Sequence, residues 1–323
     1  MEEIKTTTVE TFDTITAKPP KKQLTIKTKK LIFAWGMLAY PIIQFLIFFL
    51  YVNIDSVLMS ITWIYEAEER VVFPTFTFYE KFYRGVFIDK LPQITNALKN
   101  SVLVGINDLV LVTISVTLAY FFYKKIPGRN VFRIIFFIPS IISIVIYTMV
   151  YKYMFNPTIG PVSKLLQGIF GWNESTTPLW FSQKNGIWMI MLYCLWVGTG
   201  YNILILGGAI ANLPEEVMES ARLDGAKMRH ELFLLVIPMI WPTISVSILG
   251  AVTTMFTLFL QVDLLTQGAA PTIAYLINSQ IKGGDPNSLA SAAAIGLTFT
   301  VVATPIIIVV KKLLDKVSDS FGF

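Results

Sequence analysis

Apolar residues in this chain do not alternate with polar ones; they come in long unbroken runs. The run from Leu31 to Val52 carries no charge and is long enough to cross a bilayer as a helix. Further runs lie at about 101–123, 131–151, 187–211, 238–260 and 289–310, so the pattern predicts six spans. Residues 1–30 are threonine-rich, contain Pro19-Pro20 and end on Lys21, Lys22, Lys27, Lys29 and Lys30, the composition of a flexible tail. The first run is too long for a signal-peptide core, and no small-residue cleavage site stands out after it. A polar tail also precedes it, so it is expected to stay as an anchor. Residues 53–100 are mixed and partly aromatic (Glu66, Glu68, Glu69, Pro74, Tyr79, Phe82, Tyr83, Pro92) and are expected to form an ordered loop or small cap. Asn156-Pro157, Gly160-Pro161 and Asn173 mark a loop after the third span, and residues 268–286 form another after the fifth. The expected organisation is a tail at 1–30 and a six-span domain over 31–323.

Composition agrees with a membrane protein. Hydrophobic residues make up 54% of the chain and charged residues only 15%, with a mean hydropathy of +0.63, whereas soluble domains carry nearer a quarter charged residues. The excess apolar content therefore belongs to spans, and the fold class is an all-α integral membrane protein. The net charge of +5 follows from orientation signals and requires no nucleic acid partner. Suppose that the amino terminus is cytosolic. Cytosolic lysines and arginines then number seven in the tail, four from Lys124 to Arg133, three in the loop at 212–237 and three after Val310. These are 17 of 26, leaving nine outside. Both termini and the 212–237 loop are thereby expected in the cytosol. One cysteine, Cys194, and one histidine, His230, leave no cysteine or histidine cluster for a metal. No G-x-x-x-x-G-K-[ST] phosphate loop occurs, so any ATPase must be another chain.

The longest charged interruption in the second half is Leu213 to Pro242. Pro214 opens it as an early-helix residue, and Glu215 and Glu216 lie where a helix dipole favours acids. Val217 or Met218 pairs with Ala221 on one face. Gly225 ends that pattern as a glycine at a helix terminus would, and the apolar run Phe233 to Ile237 leads into the next span. The reading is a short helix, a tight glycine turn and a second helix entering the membrane.

Glu219-Ser220-Ala221-Arg222-Leu223-Asp224-Gly225, followed after nine residues by Leu235-Val236-Ile237-Pro238, resembles the coupling-loop signature of bacterial ABC importer permeases. That pattern reads E-A-A, three residues, G, nine residues, I-x-L-P. Ser220 stands for the middle alanine, and Leu235 and Ile237 stand for isoleucine and leucine. The aspartate before the glycine is typical of the sugar-transporting branch. Asn96 to Ser101 and Leu195 to Leu213 are similar to the large permease subunit of maltose and multiple-sugar transporters.

The resemblance implies a type I ABC importer permease fold in the bacterial inner membrane. It implies two ATPase subunits carrying ATP and Mg, a second permease (a homologous chain or a copy of this one) and an extracytoplasmic solute-binding protein that docks on the loops at 53–100, 152–186 and 261–288. This chain itself would hold no cofactor and catalyse no reaction. The ATPase-coupling residues it implies are Glu219 at the docking contact, Ala221 where the short helix seats in a cleft, Asp224 capping the second short helix, Gly225 at the turn, and Leu235 and Pro238 where the loop bends into the fifth span.

Sugars bind to aromatic faces and hydrogen-bonding groups, and the spans offer Tyr147, Tyr151, Trp196, Tyr201, Asn202 and Gln261 as path candidates. The alternative for each is helix packing or a lipid-facing belt. Asp108 lies inside the second span, where an aspartate costs about 2.5–3.5 kcal/mol on insertion scales. It is either functional or a partnered residue near the external end. Gly198, Gly200, Gly207 and Gly208 indicate close helix contact or a bend. His230 reads as a solvated loop residue and Cys194 as a buried small one. An ion-coupled secondary transporter using Asp108 and Asp263 is the rival, but the internal repeats it would need are not found. A non-sugar solute is the other alternative. A membrane enzyme lacks a nucleophile-base pair or paired intramembrane carboxylates.

Overall fold

A computed structural model describes residues 25–60, 63–65, 70–72, 83–88 and 91–321. The expected tail over 1–24, and Glu66, Glu68, Glu69, Pro74, Tyr79 and Phe82 of the first loop, lie outside the described residues. The chain divides into two compact units, Met1–Asp55 and Ser56–Phe323. The first holds most of α1 (Ile26–Ser60), which is apolar on every side, as a helix solvated by lipid would be. One departure from a purely helical chain is a small antiparallel hairpin, β1 (Trp63–Tyr65) with β2 (Arg70–Val72), in the register Trp63 to Val72.

The second unit is built on three helices that the apolar runs foretell. These are α2 (Leu91–Tyr123), α6 (Gly186–Ala211) and α12 (Pro286–Ser320). Among the described residues, counting α1, four helices are long and apolar enough to cross a membrane, or up to six if each of two bent pairs is one span. Those pairs correspond to the third and fifth expected spans. The third is split into α3 (Arg129–Ile141) and α4 (Ile144–Met154), bent by 111°. Pro139 removes a backbone donor near the end of α3, and Ile142 and Ser143 are extended, with ψ of 144° and 131°. The fifth is split into α8 (Met228–Met239) and α9 (Trp241–Thr257), bent by 78°. The first expected loop is shorter than 53–100 at both ends, because α1 runs to Ser60 and α2 begins at Leu91.

Between the long helices lie α5 (Pro161–Phe170), α7 (Glu215–Leu223), α10 (Leu260–Thr266) and α11 (Ile273–Gly283). Two cores form along α2, α6 and α9. One joins Val116 and Tyr120 of α2, Leu206 and Ile210 of α6, Met218 of α7 and Val236 of α8. The other joins Val104 of α2, Tyr151 of α4, Ile190 and Tyr193 of α6 and Leu265 of α10. Buried polar groups tie helices together where no water could satisfy them. Asn100 donates to the Pro271 carbonyl (2.9 Å), Asn107 donates to the Met191 carbonyl (3.2 Å), and Ser101 accepts from the Ile273 amide (3.0 Å).

Of the four α6 glycines from Gly198 to Gly208, two mark close approach. A Cβ on Gly200 would stand 1.9 Å from the Phe136 carbonyl oxygen of α3, and one on Gly198 would stand 2.5 Å from Leu111 of α2. Gly207 and Gly208 face open space.

Candidate functional site

Two sites stand out, one before α9 and one along it. The first is the segment Leu213–Pro242. Its helix α7 has Pro214 at the N-cap and Glu215 and Glu216 in the first turn, the two acids lying against the positive end of the helix dipole. Gly225 adopts φ +77°, the Gly225 amide bonds the Arg222 carbonyl (3.1 Å), and the Ala226 amide bonds the Ala221 carbonyl (2.9 Å). That bond pair is the Schellman closure, which requires the left-handed residue that glycine supplies without penalty. Met218 is fully buried against the core while Glu219 is exposed, and Val217 is 37% exposed. The inward pair is therefore Met218 with half-buried Ala221.

Asp224 does not cap the second helix. It is the exposed C-cap residue of α7, and Lys227 occupies the next N-cap without a side-chain cap bond. Leu235 and Pro238 are half-buried. Pro238 has no N–H for the ladder, and the stretch Glu231–Val236 just before it is wound as a π-helix. The bend itself falls at Ile240 (φ −96°, ψ 10°), with Pro242 in the first turn of α9 unable to bond the Pro238 carbonyl. The turn thus belongs to a pair of prolines rather than to Pro238 alone. His230 is exposed, on the first turn of α8.

A further charged residue of this segment was given no role in the sequence reading. Glu231 is buried at 2% exposure and ion-pairs with Lys124, just beyond α2. The Tyr120 hydroxyl donates to the Met228 carbonyl (3.3 Å), and the Lys124 ammonium lies 5.6 Å from the Tyr120 ring centroid. Charge at both positions was visible in sequence, but nothing local pairs residues 107 apart.

The second site is a cleft of about 470 Å³ among α2, α6 and α9. Of the path candidates, Tyr201, Asn202 and Gln261 line it. Tyr147, Tyr151 and Trp196 instead pack with Tyr193 in an aromatic cluster behind its wall. Ring centroids lie 5.3 Å apart for Tyr147–Trp196 and for Tyr151–Tyr193. The Tyr151 hydroxyl donates to the Met189 carbonyl (3.2 Å), and Thr148 donates to the Tyr193 hydroxyl (2.8 Å). Asp108 also lines the cleft, as does Cys194, which is half-buried rather than enclosed. On α9 the lining residues Thr243, Ser247, Gly250 and Thr254 recur every three or four positions, a polar stripe along an otherwise apolar helix. That spacing was legible in sequence and is the signal that identifies this wall. Among the described residues no group of three or more His, Cys, Asp or Glu could hold a metal ion.

The chain has relatives among known proteins. It is 26% identical over 232 residues to the probable ABC transporter permease protein YurN of Bacillus subtilis, covering 71% of this chain and 77% of that one. It is 25% identical over 188 residues to the maltose/maltodextrin transport system permease protein MalF of Vibrio cholerae, covering 53% of this chain and 35% of the relative. The chain thus matches about a third of the length of that permease. A chain in the crystal structure of a bacterial ABC transporter involved in the import of the acidic polysaccharide alginate superposes with a TM-score of 0.72 at 22% identity, over 90% of this chain and 98% of that one, a likeness of fold. Residues 111–319, which hold the first site and all of the cleft lining except Asp108, match the family described as binding-protein-dependent transport system inner membrane component. The chain belongs to that family and is a multi-pass protein of the inner membrane.

Proposed function

We propose that this chain is one permease subunit of an ATP-driven importer that receives carbohydrate, an oligosaccharide above all, from an extracytoplasmic solute-binding protein. The relatives named for maltose and alginate support a carbohydrate cargo. The observation that carries the coupling role is the build of α7. It is a nine-residue helix closed by a glycine turn, anchored by Met218, with Glu219 and both first-turn acids exposed. Such a knob can seat in a groove of an ATPase subunit, where Glu219 pairs with a basic group. The excess of lysine and arginine on this side supports a cytosolic orientation. Two ATPase subunits closing on ATP and Mg would then carry α7 as a rigid body. The bend at Ile240 would pass that movement into α9, and so into one wall of the cleft. A second permease chain would supply the rest of the path.

The test is reconstitution with candidate ATPase and binding-protein subunits, scored as ATPase stimulation across a set of oligosaccharides. Stimulation should require a loaded binding protein and fall at least severalfold in Glu219→Ala, with the permease still assembled in the membrane. Unchanged stimulation in that variant would remove Glu219 from the contact. No association with any ATPase would remove the reading and bring forward ion-coupled transport through Asp108.

A further inference from the structure

The walls of the cleft are one-sided in their charge. Among the described residues that line it, Asp108 is the single charged side chain, and no lysine, arginine or histidine joins it. The carboxylate can only accept hydrogen bonds. Three neighbouring groups already donate within their own helices. Asn202 donates to the Gly198 carbonyl (3.1 Å) and Ser247 to the Thr243 carbonyl (3.2 Å). The Thr254 hydroxyl donates to the Gly250 carbonyl (3.1 Å). The hydroxyl oxygens of Ser247 and Thr254 therefore turn lone pairs to the cleft, while Asn202 keeps a second N–H and Tyr201 and Gln261 bring donors of their own. A ligand that fits can bring donors or neutral acceptors, but it must not bring an anion, which would meet a carboxylate at low dielectric with no cation to offset it.

We propose that this wall selects uncharged, hydroxyl-rich saccharides and rejects those bearing carboxylates, with Asp108 as the discriminating residue. The proposal rests on the carbohydrate-importer reading above and adds the charge class of the cargo. Sugar hydroxyls donate to Asp108 and to the lone pairs of Asn202, Ser247 and Thr254, while a tyrosine face, Tyr201, covers the apolar side of a ring. The alginate importer, whose cargo is an acidic polysaccharide, has a fold like this one, so the difference would lie in side chains rather than architecture.

The test uses the permease–ATPase complex in lipid nanodiscs without the binding protein, so that the cleft alone chooses. Shifts in unfolding temperature are titrated with a neutral glucose trisaccharide and with a mannuronate trisaccharide. Wild type should bind the neutral sugar and not the uronate. Asp108→Asn keeps an acceptor oxygen and removes the charge. It should gain at least tenfold for the uronate and lose less for the neutral sugar than Asp108→Leu does. Asp108→Leu should lose the neutral sugar at least tenfold. Equal binding of both trisaccharides by wild type, or a uronate affinity untouched by Asp108→Asn, would overturn the proposal. So would binding of neither sugar, yet loaded-binding-protein stimulation of the ATPase would then still stand, which separates failure here from failure of the importer reading.

Discussion

Two ion pairs, one at each end of α9, contain the same chemistry in opposite surroundings. Lys124 and Glu231 meet at one end with exposures of 14% and 2%. Lys282 and Asp263 meet at the other, 2.5 Å apart, with exposures of 57% and 24%. Removing two charges from water costs several kcal/mol each, and mutual attraction restores roughly that amount. The first pair is therefore poor evidence of net stabilisation. What it does is exclude alternatives: any sliding of α8 along α2 would leave a carboxylate buried without its partner. The segment carrying α7 is thereby held to α2 in one register. The second pair is solvated in any arrangement and enforces none. Burial, not the presence of a salt bridge, separates a structural constraint from a surface contact.

The largest expected effect comes from breaking the buried pair from one side. Lys124→Met strands Glu231 and should destabilise the protein by about 3–5 kcal/mol, read as the unfolding temperature in detergent. Lys124→Met combined with Glu231→Leu removes both charges and should recover most of that loss. If the pair's role is register, ATPase stimulation should stay depressed in the double variant although stability returns. Single and double variants of equal stability would show that Glu231 is not confined as described, and the contrast between the two ends would collapse.

Glycines on α6 repeat the comparison without charge. Gly200→Ala places a methyl against the Phe136 carbonyl, a backbone atom that cannot rotate away. The overpacking should cost about 1–3 kcal/mol, less than the stranded glutamate. Gly207→Ala meets nothing within 4 Å and should gain up to about 1 kcal/mol from helix propensity. Thermal unfolding of the two variants side by side checks the sign as well as the size, and a loss at both positions would mean that the α6 surface at Gly207 is covered by a partner.

The same dependence on surroundings decides what was legible in sequence. Spans were legible because a run such as Leu31 to Val52 needs no partner to declare itself. The two bends were hidden, since hydropathy averages across Ile142–Ser143 and Ile240 although Pro139 and Pro242 stand beside them. The turn after α7 was legible because Gly225 acts locally, through its own φ. The capping role of Asp224 was misjudged because it depended on where the next helix starts, at Met228 rather than directly after the glycine. In the cleft, spacing alone could not say whether Tyr147 and Tyr151 face a path or pack against Tyr193 and Trp196. The Lys124–Glu231 pair, joining positions 107 apart, was beyond any local pattern.

The smallest effect should come from the exposed pair, and it sharpens the contrast most directly. Asp263→Asn removes the acid from a contact whose lysine is more than half exposed, so the loss should lie within about 0–1 kcal/mol. Solvent already screens it, and added salt should erase even that difference, because the Debye length falls from about 10 Å at 0.1 M to about 3 Å at 1 M. Lys124→Met should behave in the opposite way, its penalty unchanged by salt, since ions do not reach a carboxylate that is 2% exposed. Unfolding temperatures of both variants at low and high salt therefore form one experiment. A salt-insensitive loss of several kcal/mol in Asp263→Asn would mean that the α10–α11 end is as enclosed as the α7 end, and that a covering partner, not solvent, surrounds Lys282.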